Sequence, residues 1–210
     1  MNGRTPARTA AGHRASCRVF FALWPEPQLA QTIHRRAHAL QALIGGRLMR
    51  EDTLHLTLAF LGEVDSAALP ALHTVGAAIS APAFGLPLDR LGCWRHNRIA
   101  WLAPAAPPDT LLQLADTLVC GLRKAGFGVE DRRFSPHMTL LRKTDPAACD
   151  QVGTQLAALA EPPLPPWRVR DFVLVESRRD QHGARYAVLG RWRLDGLVPD
   201  ESTTDVTQRM

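Results

Sequence analysis

A chain of 210 residues, 46% apolar and 21% charged, has the make-up of a soluble globular protein and enough length to close a hydrophobic core. No apolar run approaches the ~20 residues of a membrane helix, and no apolar stretch ahead of Cys17 resembles a secretory signal, so neither a bilayer-spanning nor an exported chain is expected. The formal charge of +5 sits wholly in residues 17–194, because the arginines before them and the acids after them cancel; that is compatible with a polyanionic ligand and equally with a solvated surface.

Cys17, Cys93, Cys120 and Cys149 are widely spaced, with no Cys-x-x-Cys pair, which predicts reduced, mostly buried thiols in a cytoplasmic protein and no structural zinc. Residues 1–16 read as a disordered extension, residues 17–194 as a single bilobal domain, and residues 195–210 as a disordered tail.

Val19 to Trp24 is a nearly continuous apolar run, suited to a central strand. Pro25 and Pro27 open a helix to about Leu43, with Leu29, Ile33, Ala37 and Leu40 at helical spacing, and Gly45-Gly46 ends it. His34 and His38 lie four apart on that helix but lack a third ligand, so they read as surface histidines. Arg47 to Arg50 suggests a short strand, and Leu54 to Leu61 a longer one closed by Gly62.

A helix from about Ser66 to Ser80 follows, its stripe made by Leu69, Leu72, Val75 and Ile79. Phe84 to Leu91 alternates as a strand with one wet face, and Pro87 places it at a sheet edge. Gly92 to Asn97 is the turn into a strand over 98–103. After the proline-rich 104–108, Asp109 or Thr110 caps a third helix, with Leu111, Leu114, Leu118 and Leu122 inside.

Residues 127–134 lead through Ser135-Pro136 into another strand. Pro146 to Leu159 is the fourth helical pattern, Pro162 to Pro166 a stiff connector, and Trp167–Glu176 with Ala184–Leu194 a hairpin.

The strand His55-Leu56-Thr57-Leu58 returns 82 residues later as His137-Met138-Thr139-Leu140. In a strand, residues two apart share a face, so each copy sends one imidazole and one hydroxyl to the same side. The surroundings repeat too. Arg18-Val-Phe-Phe-Ala-Leu-Trp-Pro25 precedes the first histidine by 37 residues, and Arg98-Ile-Ala-Trp-Leu-Ala-Pro104 precedes the second by 39. A strand opens near Phe84 and Trp167, 29 and 30 residues past the respective histidines. Such agreement predicts a duplicated unit. A lone His-x-Thr would be no more than a half-buried strand; two in equivalent settings point to chemistry.

Histidine, with an ordinary pKa of ~6.5, both takes and gives protons near neutrality. Two of them allow one to deprotonate an attacking hydroxyl while the other protonates a leaving oxygen. Threonine hydroxyls bind the oxyanion between. A phosphodiester, attacked in line, fits that arrangement without a metal.

These paired motifs resemble the 2H phosphoesterase superfamily. Their flanks, including Leu54-His-Leu-Thr-Leu-Ala-Phe-Leu-Gly62, Gly126-Phe127, Phe134-Ser-Pro-His-Met-Thr-Leu-Leu-Arg142 and Gly183-Ala-Arg-Tyr186, resemble the RNA 2′,3′-cyclic phosphodiesterase family, also called 2′-5′ RNA ligase. The resemblance implies an α+β, bilobal, pseudo-two-fold duplicated fold, with two antiparallel sheets lining a central cleft and helices outside. It implies hydrolysis of an RNA or nucleoside 2′,3′-cyclic phosphate to a 2′-phosphomonoester, with no cofactor and no metal.

On matching positions His55 is the proton donor, His137 the proton acceptor, and Thr57 and Thr139 hold the phosphate. Arg142 fits the family's arginine after the second motif, although strict alternation puts it on the face opposite His137. Ser135 stands where relatives often carry arginine or another polar residue. Phe20 and Phe21 alternate, so one should face the cleft, where a base could stack; packing of both in the core is the alternative. The partners expected are RNA ends or small cyclic nucleotides, for a monomer without membrane contact. A non-catalytic RNA-binding module and 2′-5′ RNA ligation remain the alternative readings.

Overall fold

The computed structural model describes residues 16–131, 133–151, 164–180 and 183–195. Both expected terminal extensions lie outside these residues, apart from Ser16 and Asp195. The fold is α+β. Its strands are β1 (Ser16–Leu23), β2 (Arg47–Leu48), β3 (Leu56–Asp65), β4 (Phe84–Leu86), β5 (Arg90–Trp94), β6 (Ile99–Ala103), β7 (Met138–Arg142), β8 (Trp167–Val169), β9 (Asp171–Asp180) and β10 (Gly183–Arg193). The described helices are α1 (Pro27–Ile44), α2 (Leu69–Ala77) and α3 (Asp109–Lys124).

The large sheet runs β10-β9-β1-β3-β7-β6-β5, with β2 also on β7, and β4 pairs β8 in a small second sheet. All of this pairing is antiparallel. The two motif strands meet at a single rung, Leu56 opposite Met138. A single rung holds two half-sheets weakly. The helices supply the rest: α1, which follows β1 in the chain, packs on β2 and β7, whereas α3, which precedes β7, packs on β3 and α2. Each helix thus crosses to the other half-sheet.

Alternation sorts the side chains of β1. Val19, Phe21 and Leu23 enter the main core with the stripes of α1 (Ile33, Ala37, Leu40) and α3 (Leu111, Leu114, Leu118). Phe20 and Ala22 turn the other way, into a small cluster with Val173, Val175, Trp24, Phe60 and Tyr186. One sheet face is therefore covered by helices, and the other carries aromatic residues around the histidines.

Several expectations are corrected. The strand read over Phe84–Leu91 divides at Pro87, which lacks the N–H for a ladder bond; Phe84–Leu86 joins β8, while β5 forms the edge of the large sheet. Gly62 does not end β3, which continues to Asp65 through a left-handed Gly62 (φ 73°) next to an irregularity in its pairing with β1. The turn before β6 begins after Trp94 rather than at Gly92. Pro108, not Asp109 or Thr110, is the residue preceding the first turn of α3, and it makes no side-chain cap.

In the region of the fourth helix only a 3-10 turn, Ala148–Gln151, is described; residues 152–163 lie outside the described residues, with the start of the proline connector. Cys93 and Cys149 are joined in a disulfide, with Cα atoms 5.3 Å apart, while Cys17 and Cys120 are free thiols, one buried and one exposed. A separation of 56 residues hid that pair from the sequence, since only the fold brings the edge strand β5 beside the turn after β7.

Candidate active site

Continuing the antiparallel register one residue each way from the Leu56–Met138 rung sets His55 toward Thr139 and Thr57 toward His137. Each imidazole thus stands across from the other motif's hydroxyl. His55, Thr57, His137, Thr139 and Arg142 all line one cavity of about 960 Å³.

Both histidines stand just before their strands, and both rings are anchored in the same way. Nδ1 of His55 donates to the Thr53 carbonyl at 2.7 Å, and Nδ1 of His137 donates to the Ser135 carbonyl at 2.8 Å. A carbonyl oxygen only accepts, so Nδ1 carries the hydrogen and Nε2 is the nitrogen left to exchange protons. Ser135 serves through its backbone, independent of its side chain.

Arg142 reaches the cavity because alternation fails. In the β6 pairing, Trp101 lies opposite Thr139 and Ala100 opposite Leu141, so Leu140 is an extra residue. Such a bulge re-aims the side chains beyond it. The first motif repeats the device: Ala22 pairs Thr57 and Phe21 pairs Ala59, leaving Leu58 extra, and Phe60, three residues past its threonine as Arg142 is past Thr139, also lines the cavity.

The surroundings of the two imidazoles differ. His55 lies against Phe20 (centroids 4.9 Å apart), Tyr186 (5.3 Å, edge-on) and Trp24 (5.4 Å, planes 8° apart). Phe20 is itself only 4% exposed, so it backs the histidine and offers no platform to a base; Phe21 is in the core. His137 meets Trp94 edge-on at 4.5 Å. Burial among its rings is the main reason that the pKa of His55 is pulled down to about 4, against the pull of its bond to Thr53, and the positive charges at Arg142 and His137 lower it further. Sequence reasoning missed Trp24, Phe60 and Trp94 as neighbours of the site. Trp24 ends one expected strand and Trp94 lies in the expected turn before another, and their aromatic identity was the available signal.

The charge at position 142 makes this testable. In a proton NMR titration of the ligand-free protein the His55 ring should have its midpoint near pH 4, and Arg142→Ala should raise it, because one positive charge opposing the imidazolium is gone. An unchanged or lower midpoint in the variant would count against Arg142 facing His55.

Among the described residues no three His, Cys, Asp or Glu side chains gather as a metal site, and no helix is long and apolar enough to cross a membrane.

The 2'-5' RNA ligase superfamily model matches residues 25–181. An RNA 2',3'-cyclic phosphodiesterase of Escherichia coli (strain K12) is 37% identical over 180 residues, covering 84% of this chain and 96% of the relative. One from Thermus thermophilus is 29% identical over 191 residues, covering 85% and 91%. The crystal structure of E. coli LigT complexed with 3'-AMP matches with a TM-score of 0.70 at 34% identity, covering 86% of this chain and 99% of that one. Both motifs lie within the matched residues, and the fold agrees over nearly the whole of a solved relative: the chain belongs to the 2'-5' RNA ligase superfamily.

Proposed function

We propose that this protein hydrolyses RNA or nucleoside 2′,3′-cyclic phosphates to 2′-phosphomonoesters, without a metal ion, by acid/base chemistry shared between His55 and His137. The observation that carries the reading is the pair of Nδ1-anchored imidazoles opening on one cavity with two threonines and an arginine. Relatives named RNA 2',3'-cyclic phosphodiesterase support the same activity.

In the proposed step Nε2 of His137 takes the proton of a water that attacks phosphorus. The bond from phosphorus to the 3′ oxygen breaks on the opposite side, and Nε2–H of His55 gives its proton to that oxygen. The donor and acceptor roles follow the family resemblance. The hydroxyls of Thr57 and Thr139 and the guanidinium of Arg142 hold the phosphate oxygens. Before substrate binds, His55 is neutral near pH 7, since its pKa is about 4. An anionic phosphodiester beside it favours the charged ring, so the donor gains its proton with the substrate. The working unit is residues 17–194 acting as one bilobal, duplicated domain, as a cytoplasmic monomer.

The test is incubation with a nucleoside 2′,3′-cyclic phosphate and identification of the product by phosphorus NMR. A 2′-monophosphate, formed at a rate that EDTA leaves unchanged, is the expected result. A 3′-monophosphate, or a rate lost to EDTA and restored by metal, would overturn the mechanism; RNA binding without turnover of any cyclic phosphate would make the protein a binding module.

A further inference from the structure

A second cavity, of about 570 Å³, lies beside the first and has no assigned use. One stacked pair of rings links them: His55 lines the catalytic cavity, Trp24 lines the second, and their planes lie 8° apart with centroids 5.4 Å apart. The second cavity is of ligand size. Its wall carries both signs of charge.

Asp171 is engaged by Arg191, and Asp52 by Arg50. Arg168 and Arg170, both exposed, have no carboxylate partner among the described residues, and they line the cavity with Glu26 and Glu51. A purely anionic ligand would meet the two glutamates, and a purely cationic one the two arginines. A nucleotide unit suits all three features: phosphate oxygens for the guanidinium forks, ribose hydroxyls as donors to carboxylates, and a flat base for the half-buried indole of Trp24.

We infer that this cavity holds the nucleotide preceding the 2′,3′-cyclic end of an RNA whose terminal phosphate lies between His55 and His137. The inference rests on the proposed reaction for where the terminal phosphate sits, and what it adds is a subsite: a place, outside the catalytic cavity, for the part of an RNA end that a free cyclic nucleotide lacks. Arg168 and Arg170 read the extra phosphate and take no part in the chemistry.

The experiment compares a nucleoside 2′,3′-cyclic phosphate with a dinucleotide ending in the same cyclic phosphate, for the wild type and for the Arg168→Ala/Arg170→Ala double variant. The wild type should prefer the dinucleotide in kcat/KM by about tenfold, the scale of one charge-assisted hydrogen bond. In the variant that preference should vanish, with the mononucleotide rate unchanged, which also shows that the fold is intact. No preference in the wild type, a preference that survives the double substitution, or a loss on both substrates alike would overturn the inference.

A second arm separates this subsite from the chemistry. Titration calorimetry with the dinucleotide bearing a 2′-phosphate needs no turnover. If neither cyclic substrate were hydrolysed the proposed reaction would fall, while about tenfold weaker dinucleotide binding by the variant would still support the subsite and equal binding would refute it.

Discussion

Replacing either His55 or His137 by alanine should lower hydrolysis of a nucleoside 2′,3′-cyclic phosphate by at least ~10²-fold, the usual scale for loss of a general acid or base. Each ring is anchored by a bond from Nδ1 to a carbonyl two residues before it in the chain. Removing a ring therefore takes away Nε2 without breaking a strand ladder, and the fold should persist, as a thermal melt would verify. The double variant should be little worse than the poorer single one, because a concerted step that has lost one proton carrier gains little from the other. Full activity in either single variant would end the case for paired-histidine chemistry.

The sequence was informative wherever a pattern stays local. The duplicated His-x-Thr, the stripes of α1 and α3 and the resemblance of the flanks led to an α+β fold and to five side chains that line a common cavity. It was misleading wherever pairing between distant strands decides the outcome. Strict alternation turned Arg142 away from the cavity, because the extra residue at Leu140 exists only relative to β6. Phe60 was overlooked for the same reason, through Leu58 and β1. Nothing in the spacing of cysteines indicated the Cys93–Cys149 bond, which needs β5 laid beside the turn after β7. The missing N–H of Pro87 signals a sheet edge, but not that the chain changes sheets there.

Gly92→Ala should be the most damaging small substitution near the site. A Cβ at position 92 would lie 2.1 Å from Cζ2, 2.4 Å from Cη2 and 2.6 Å from Cε2 of Trp101. That ring cannot yield easily. It is 9% exposed, lies against Trp94 at 5.3 Å, and has the Arg90 guanidinium 5.7 Å from its centroid. Overpacking of this kind costs about 1–3 kcal/mol. The displacement would pass to chemistry, since Trp101 is the cross-strand partner of Thr139 and Trp94 touches His137. A shift of ~1 Å at such a point can cost ~10²-fold in rate. Urea unfolding and the cyclic phosphodiesterase rate should therefore fall together in Gly92→Ala, and Trp101→Phe in the same chain should restore part of the stability by shortening the ring. A variant as stable as the wild type would show that Trp101 does not pack on Gly92 in solution.

The contact of Leu56 with Met138 has a consequence for direction. An antiparallel pair carries a local dyad, and along it the cleft has neither front nor back: an imidazole and a hydroxyl stand on either hand. In the proposed reaction, opening a ring and closing it meet the same groups in reversed order. Polarity has to be imposed from outside the dyad, and here Phe20, Trp24 and Tyr186 crowd His55 while Trp94 stands edge-on to His137. Exchanging aromatic neighbours, with both histidines untouched, is thus the way in which such a cleft would trade its acid for its base.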